Sequence, residues 1–114
     1  MAMEIVFRSP KLQRACNIER ESVRKWGSQN AKKIRQRLAD LQASETLADV
    51  STLPPARCHP LHGDRAGEFA VDVHQPYRLI FEPANDPVPK KEDGSIDLNK
   101  ITRIRILEVE DYHG

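Results

Sequence analysis

The chain has 114 residues, 39% hydrophobic and 31% charged, with a net charge of +1. That length makes a single domain, 1–114, which buries roughly two-thirds of its unfolded surface in one core. No apolar run approaches the ~18 residues of a membrane helix and the start has no signal-peptide core, so the expectation is a cytoplasmic protein with no membrane partner.

The charge is polarised along the chain: residues 1–43 carry +6, 44–83 carry −3 and 84–114 carry −2. A basic first half suits contact with RNA or an acidic partner; solvated helix faces made of good helix formers explain it equally well. Cys16 and Cys58 form no CxxC pair, and in a reducing compartment they read as two free, buried thiols.

Residues 4–7 form a short β-type segment, and Ser9 followed by Pro10 reads as an N-cap with proline at the first helical position. A first helix is expected over 10–17. Val23, Trp26, Ala31, Ile34, Leu38 and Leu41 then recur at helical spacing, predicting a second helix that starts near Ser22, or at Ser28 after a break at Gly27, and ends near Ala43. The two read as an αα-hairpin. Residues 46–51 allow one more helical turn before Pro54 and Pro55 stop it.

From Arg57 the period changes to two. Phe69, Val71 and Val73 share one strand face, with Ala70, Asp72 and His74 on the other. Tyr77, Leu79 and Phe81 repeat the pattern and put Arg78 on the opposite face. Residues 101–109 form a long strand, with Arg103 and Arg105 interleaved. Its alternation slips, with Ile104 and Ile106 pointing one way and Leu107 and Val109 the other, which predicts a β-bulge or a strand covered on both faces. Between these strands, about 83–100 holds three prolines and a turn at Asp93-Gly94, and reads as an extended, mobile hairpin loop. The class is α+β: a helical hairpin on one face of a small, twisted, antiparallel sheet, with the other face open.

His59 and His62, beside Cys58, first suggest a metal site. In a strand the two histidines point to opposite faces, and no paired close ligands accompany them, so no metal and no cofactor is expected. Metal-free RNA cleavage is the other reading. It needs a base for the 2′-OH, an acid for the leaving oxygen and cations on the phosphate, for which histidines, Arg65 and Arg78 have suitable chemistry. Tyr112 has the aromatic face to stack on an unpaired base. The bland alternative is a set of ordinary surface residues and a frayed C-terminus over 111–113.

The run Arg57-Cys-His-Pro-Leu-His-Gly-Asp-Arg65, the segments at 67–71 and 77–81, the helix segment at 31–38 and the terminal Glu110-Asp-Tyr-His113 resemble HigB-type killer proteins of the RelE/ParE toxin superfamily. The resemblance covers nearly the whole chain. It implies a RelE-like, microbial-ribonuclease-type fold and a toxin of a bacterial toxin–antitoxin module that acts as a ribosome-dependent mRNA endoribonuclease. It further implies a cognate antitoxin carrying a helix-turn-helix DNA-binding domain, with ribosome and mRNA as the other partners. By the same comparison His59, Asp111, Tyr112 and His113 occupy the cleavage positions. Arg65, Arg78 and His62 would meet phosphate, and Lys25, Lys32, Lys33, Arg35 and Arg37 would meet ribosomal RNA. Many family members carry lysine where this chain has His62, Tyr77 stands where tryptophan is common, and the 83–100 loop is longer than usual. These departures leave a second reading, a catalytically weak or inactive toxin-like module that binds an antitoxin or repressor and tunes transcription. A gyrase-targeting ParE-type toxin is a third, disfavoured because that branch generally lacks the histidine-rich site.

Overall fold

Ser9 and Pro10 start a helix as their chemistry dictates: the Ser9 hydroxyl accepts the Leu12 N–H at 3.1 Å, and proline occupies the first turn, where no N–H is needed. The computed structural model describes residues 2–112. Helix α1 spans Pro10–Asn17, α2 spans Glu19–Trp26 and α3 spans Ser28–Ala43. The expected hairpin is thus three helices, because two separate breaks interrupt it. At Ile18 the backbone is extended, and at Gly27 φ is +88°, a conformation that side-chain-bearing residues adopt only with strain. The break at Gly27 removes Val23 from the apolar stripe, leaving it 40% exposed on α2, while Ala31, Ile34 and Leu41 on α3 are buried.

Among the described residues, five strands form one sheet in the order β1(Glu4–Phe7), β5(Arg103–Asp111), β4(Tyr77–Pro83), β3(Phe69–Asp72) and β2(His59–Pro60). The sheet is mixed, which corrects the expected antiparallel one: β1 runs parallel to β5, with Ile5 opposite Ile104 and Phe7 opposite Ile106. The helices deliver the chain to β2 at the end where β1 stops, so β2 runs opposite to β1; three antiparallel steps, β2 to β3 to β4 to β5, then bring β5 back to the sense of β1. All other neighbours are antiparallel.

Strand alternation divides the side chains between two faces. Phe69, Val71, Leu79, Phe81, Ile104 and Ile106 join Ile34 and Leu41 of α3 in the main core. Leu61, Ala70, Ile80 and Leu107 form a small second cluster on the opposite face. The slip in β5 is a bulge: Ile80 faces Glu108 and Phe81 faces Ile106, so Leu107 is the extra residue. The bulge also resets the strand's phase, and Val109 packs against the main core rather than with Leu107.

Two buried polar side chains of α3 fasten it to the sheet. Asn30 Oδ1 accepts the His74 N–H at 2.9 Å, and Arg37 Nε donates to the Asp72 carbonyl at 2.9 Å while its Nη1 meets Asp40 at 2.6 Å. Only 5% of the Arg37 side chain is exposed, so it is a structural strut and not part of the outward basic face expected for it. Arg37→Ala is expected to lower stability by about 1.5–3 kcal/mol, the range for hydrogen bonds that involve charged groups, and Tm by roughly 6–12 °C. A thermal melt within 2 °C of wild type would show that the strut carries no load.

The 83–100 segment, expected to be an extended loop, makes contacts at its base and along its length. Asn85 clamps its base, accepting the Thr102 and Arg103 N–H groups at 3.1 Å each. Lys90 bridges Ile96, Gly94 takes the positive φ of the expected Asp93-Gly94 turn, and Asp93 accepts the Ser95 N–H. Val88, Ile96 and Leu98 pack on the main core.

Burial pushes the thiols of Cys16 and Cys58 up to about 11. At pH 8 the thiolate fraction then falls about 100-fold below that of an ordinary cysteine, and native alkylation by iodoacetamide is expected to slow in proportion. Because the folded pKa lies above the unfolded value, the thiols leave stability unaffected below about pH 9 and lower it as pH rises towards 11. Among the described residues no helix is long and apolar enough to cross a membrane.

Candidate active site on the open sheet face

The face away from the helices carries the candidate residues. His59 on edge strand β2 pairs with Ala70, a member of the open-face cluster, and is half-buried. Its Nδ1 lies 2.7 Å from the Arg57 carbonyl oxygen. A carbonyl only accepts, so Nδ1 carries the proton and Nε2 of the neutral ring keeps its lone pair. That tautomer is the one a general base uses through Nε2.

Arg57 itself sits at φ +46°, an uncommon left-handed conformation for a residue with a side chain. The twist lets the carbonyl meet His59 while the guanidinium reaches Asp72, with Nε 2.5 Å from Oδ2. The carboxylate raises the Arg57 pKa, and the Tyr112 phenol adds a smaller electrostatic effect in the same direction. Arg78, across the strand pair from Asp72, meets Glu110 at 2.7 Å, and its guanidinium lies 4.8 Å from the centre of the Tyr112 ring. Tyr112 is held by its N–H donating to the Pro76 carbonyl at 3.1 Å. His59, Arg57, Asp72, Arg78 and Tyr112 thus form one continuous series of contacts.

Arg65 closes the 3-10 turn Gly63–Arg65 and reaches three carboxylates: Glu68 at 2.6 Å, Glu108 at 2.7 Å and Glu110 at 3.1 Å. Its pKa is raised, chiefly by the hydrogen bond to Glu108. The bulge at Leu107 makes this possible, since it keeps Glu108 and Glu110 on the open face while Ile106 stays in the core. A hollow of about 240 Å³ lies beside Glu68, lined also by Glu82 and by Val88, Lys90 and Ile96 of the docked hairpin.

His62 is exposed just before the 3-10 turn. Asp111 ends β5 opposite Tyr77 and is exposed. His113 lies outside the described residues. On the helices, Lys25 stands 5.5 Å from the Trp26 ring, Lys32 is exposed, Lys33 is half-buried and Arg35 lies 3.4 Å from Glu19. These four lie on a layer separate from the sheet site. Sequence reasoning did not single out Arg57, although it opens the histidine run. It also passed over Asp72, Glu68, Glu108 and Glu110, whose role depends on cross-strand register.

The chain matches the family described as RelE-like toxin of type II toxin–antitoxin system HigB over residues 6–92, a span that contains His59, Arg65 and Arg78 but not the terminal cluster. No curated protein sequence matches it. Three solved structures share the fold. The YoeB/ParE toxin from Agrobacterium tumefaciens is 13% identical, with a TM-score of 0.56 over 97% of this chain and 100% of that one. The YoeB–YefM complex from Staphylococcus aureus is 14% identical, with a TM-score of 0.55 over 100% of both chains. The YoeB dimer from the same organism is 15% identical, with a TM-score of 0.56 over 100% of both. At these identities the likeness is one of fold, while the sequence match carries the kinship. The chain belongs to the HigB-like group of RelE-family toxins of type II toxin–antitoxin systems.

Proposed function

We propose that this toxin is an mRNA endoribonuclease that acts on the ribosome without a metal, through the open sheet face. The observation that carries the reading is the 2.7 Å contact of His59 Nδ1 with the Arg57 carbonyl, which in the neutral ring assigns the proton to Nδ1 and the lone pair to Nε2, on the face that holds Arg57, Arg78 and Tyr112. His59 and His113 share proton transfer, Asp111 orients a histidine, and Tyr112 stacks on a base or hydrogen-bonds the backbone. Arg65 and Arg78, with His62 nearby, stabilise the crowded phosphate. Lys25, Lys32, Lys33 and Arg35 meet ribosomal RNA phosphates, whereas Arg37 is left out of this set because it is buried. The partner that neutralises the toxin is an antitoxin with a helix-turn-helix DNA-binding domain, and a fold neighbour solved as the YoeB–YefM complex supports a protein partner.

A specific observation also favours the second reading, a toxin-like module with weak or lost cleavage. Arg57, Arg65 and Arg78 all hold carboxylates, so none offers phosphate an unoccupied guanidinium. Induced expression separates the two readings. The nuclease reading expects growth arrest with cut messages, relieved by co-expressing the neighbouring antitoxin gene. Normal growth with intact messages, from a protein that still binds that antitoxin, would establish the binding module instead.

A further inference from the structure

Among the described residues, five arginines of the open face, Arg57, Arg65, Arg78, Arg103 and Arg105, are each ion-paired, and their partners are six carboxylates. The partners are Asp72, Glu68, Glu108, Glu110, Glu4 and Glu82. The surface offered to an anionic ligand is therefore slightly acidic, although five cations stand on it. The outward helix layer is different: Lys11, Arg14, Arg20, Arg24, Lys25, Lys32 and Arg35 are exposed there with few carboxylates between them. Electrostatic attraction for a phosphate chain lies mainly on the helices.

Glu108 and Glu110 are central to this neutralisation. They follow the bulge on β5, receive Arg65 and Arg78, and place three of their four carboxylate oxygens within hydrogen-bond distance of guanidinium nitrogens. A phosphate presents the same arrangement, with oxygens spaced for a guanidinium fork. The pairs are partly open to water, with 21–35% of each of these four side chains exposed. Such pairs are individually weak, so a ligand is able to displace them.

We propose that Glu108 and Glu110 act as built-in phosphate mimics: they hold Arg65 and Arg78 until a phosphodiester displaces them, and so set the affinity of the open face for its anionic ligand. The ligand's identity as RNA rests on the nuclease reading above; the displacement itself does not. The two glutamates are positioning residues that act through the arginines. They would make the face bind an RNA strand poorly unless something else, such as the helix layer, holds that strand in place.

The test compares wild type with Glu108→Gln, Glu110→Gln and the double variant. Gln keeps the side-chain length and one acceptor while removing the charge. Two probes are used: inorganic pyrophosphate, followed by NMR at the Nη–H signals of Arg65 and the Nε–H signal of Arg78, and a short RNA with 2′-O-methyl groups that block cleavage, followed by anisotropy across salt concentrations. The double variant is expected to bind pyrophosphate about tenfold more tightly at those signals, and each single variant about threefold. Its RNA affinity is expected to depend more steeply on salt, by roughly 0.7 to 1.4 in the log–log slope: about 0.7 for Arg78, which is released, and up to as much again for Arg65, which keeps Glu68. Glu92→Gln, an exposed carboxylate on the docked hairpin, removes the same charge without releasing an arginine and is expected to change neither signal. Tighter pyrophosphate binding without RNA binding by any variant would keep the displacement and remove the nuclease reading. Unchanged or weaker pyrophosphate binding in a folded single or double variant would overturn the proposal, as would an equal gain in Glu92→Gln.

Discussion

Replacing His59 by alanine is expected to abolish growth arrest on induction and to slow message cleavage by about 100- to 10,000-fold, the span ascribed to one general acid or base. The expectation rests on a single proton. Because the Arg57 carbonyl at 2.7 Å accepts only, it holds the Nδ1–H of the neutral ring, and on the nuclease reading proposed above Nε2 then takes a proton from a ribose 2′-OH. Alanine removes the base but leaves β2 paired with β3 through backbone bonds, so the variant should fold. His59→Gln tests the point more narrowly: its amide nitrogen can donate to the same carbonyl but supplies no base, so its cleavage should fall as far as that of alanine. Cleavage sites mapped by primer extension on ribosome-bound message provide the readout. Full cleavage by the alanine variant would remove His59 from the chemistry and shift the search to the terminal cluster.

How much of this was legible in the sequence depends on whether a feature is local. The α1 start at Ser9 and Pro10 follows from its cap, and the α3 span 28–43 is the second of the two starts that the apolar spacing allows, Ser22 falling inside α2 instead. The split faces of β3 and β4 and the bulge inferred from the slip in β5 also match. Arg37 shows where a local signal was present and overridden by residue type. It stands three residues after Ile34 and four before Leu41, squarely on the buried stripe, yet a long cation is normally assigned to solvent. Only the open Asp72 carbonyl across the interface makes that position favourable. The parallel pairing of β1 and the carboxylate partners of Arg65 were not legible, because each depends on register between segments far apart in the chain. A reading of β5 that scored its arginines had no means of seeing that its glutamates face Arg65 and Arg78. The resemblance to HigB-type toxins identified the family, but it gave no sign of this self-neutralised face.

Phe81→Ala is expected to cost about 3–5 kcal/mol, the range for deleting a buried aromatic side chain, and to lower Tm by roughly 12–20 °C. Phe81 is fully buried and stacks on Phe69 with ring centres 5.9 Å apart. Total stability for a domain of this size is about 5–15 kcal/mol, so the loss is a large share of it. The position matters beyond its volume. Phe81 faces Ile106 immediately beside the bulge, and together they hold the core side of β5 while Leu107 and Glu108 both turn outward. Without that anchor the favoured alternative is a strand with regular alternation, in which Glu108 and Glu110 exchange faces with Val109. Arg65 and Arg78 would then lose their partners. Leu107→Ala is the matched comparison on the open side, in a cluster of only four residues, and is expected to cost about 2 kcal/mol, at the low end for leucine. Urea denaturation of the two variants measures the difference. If Phe81→Ala proves no more costly than Leu107→Ala, the bulge is held by the open face and not by the core.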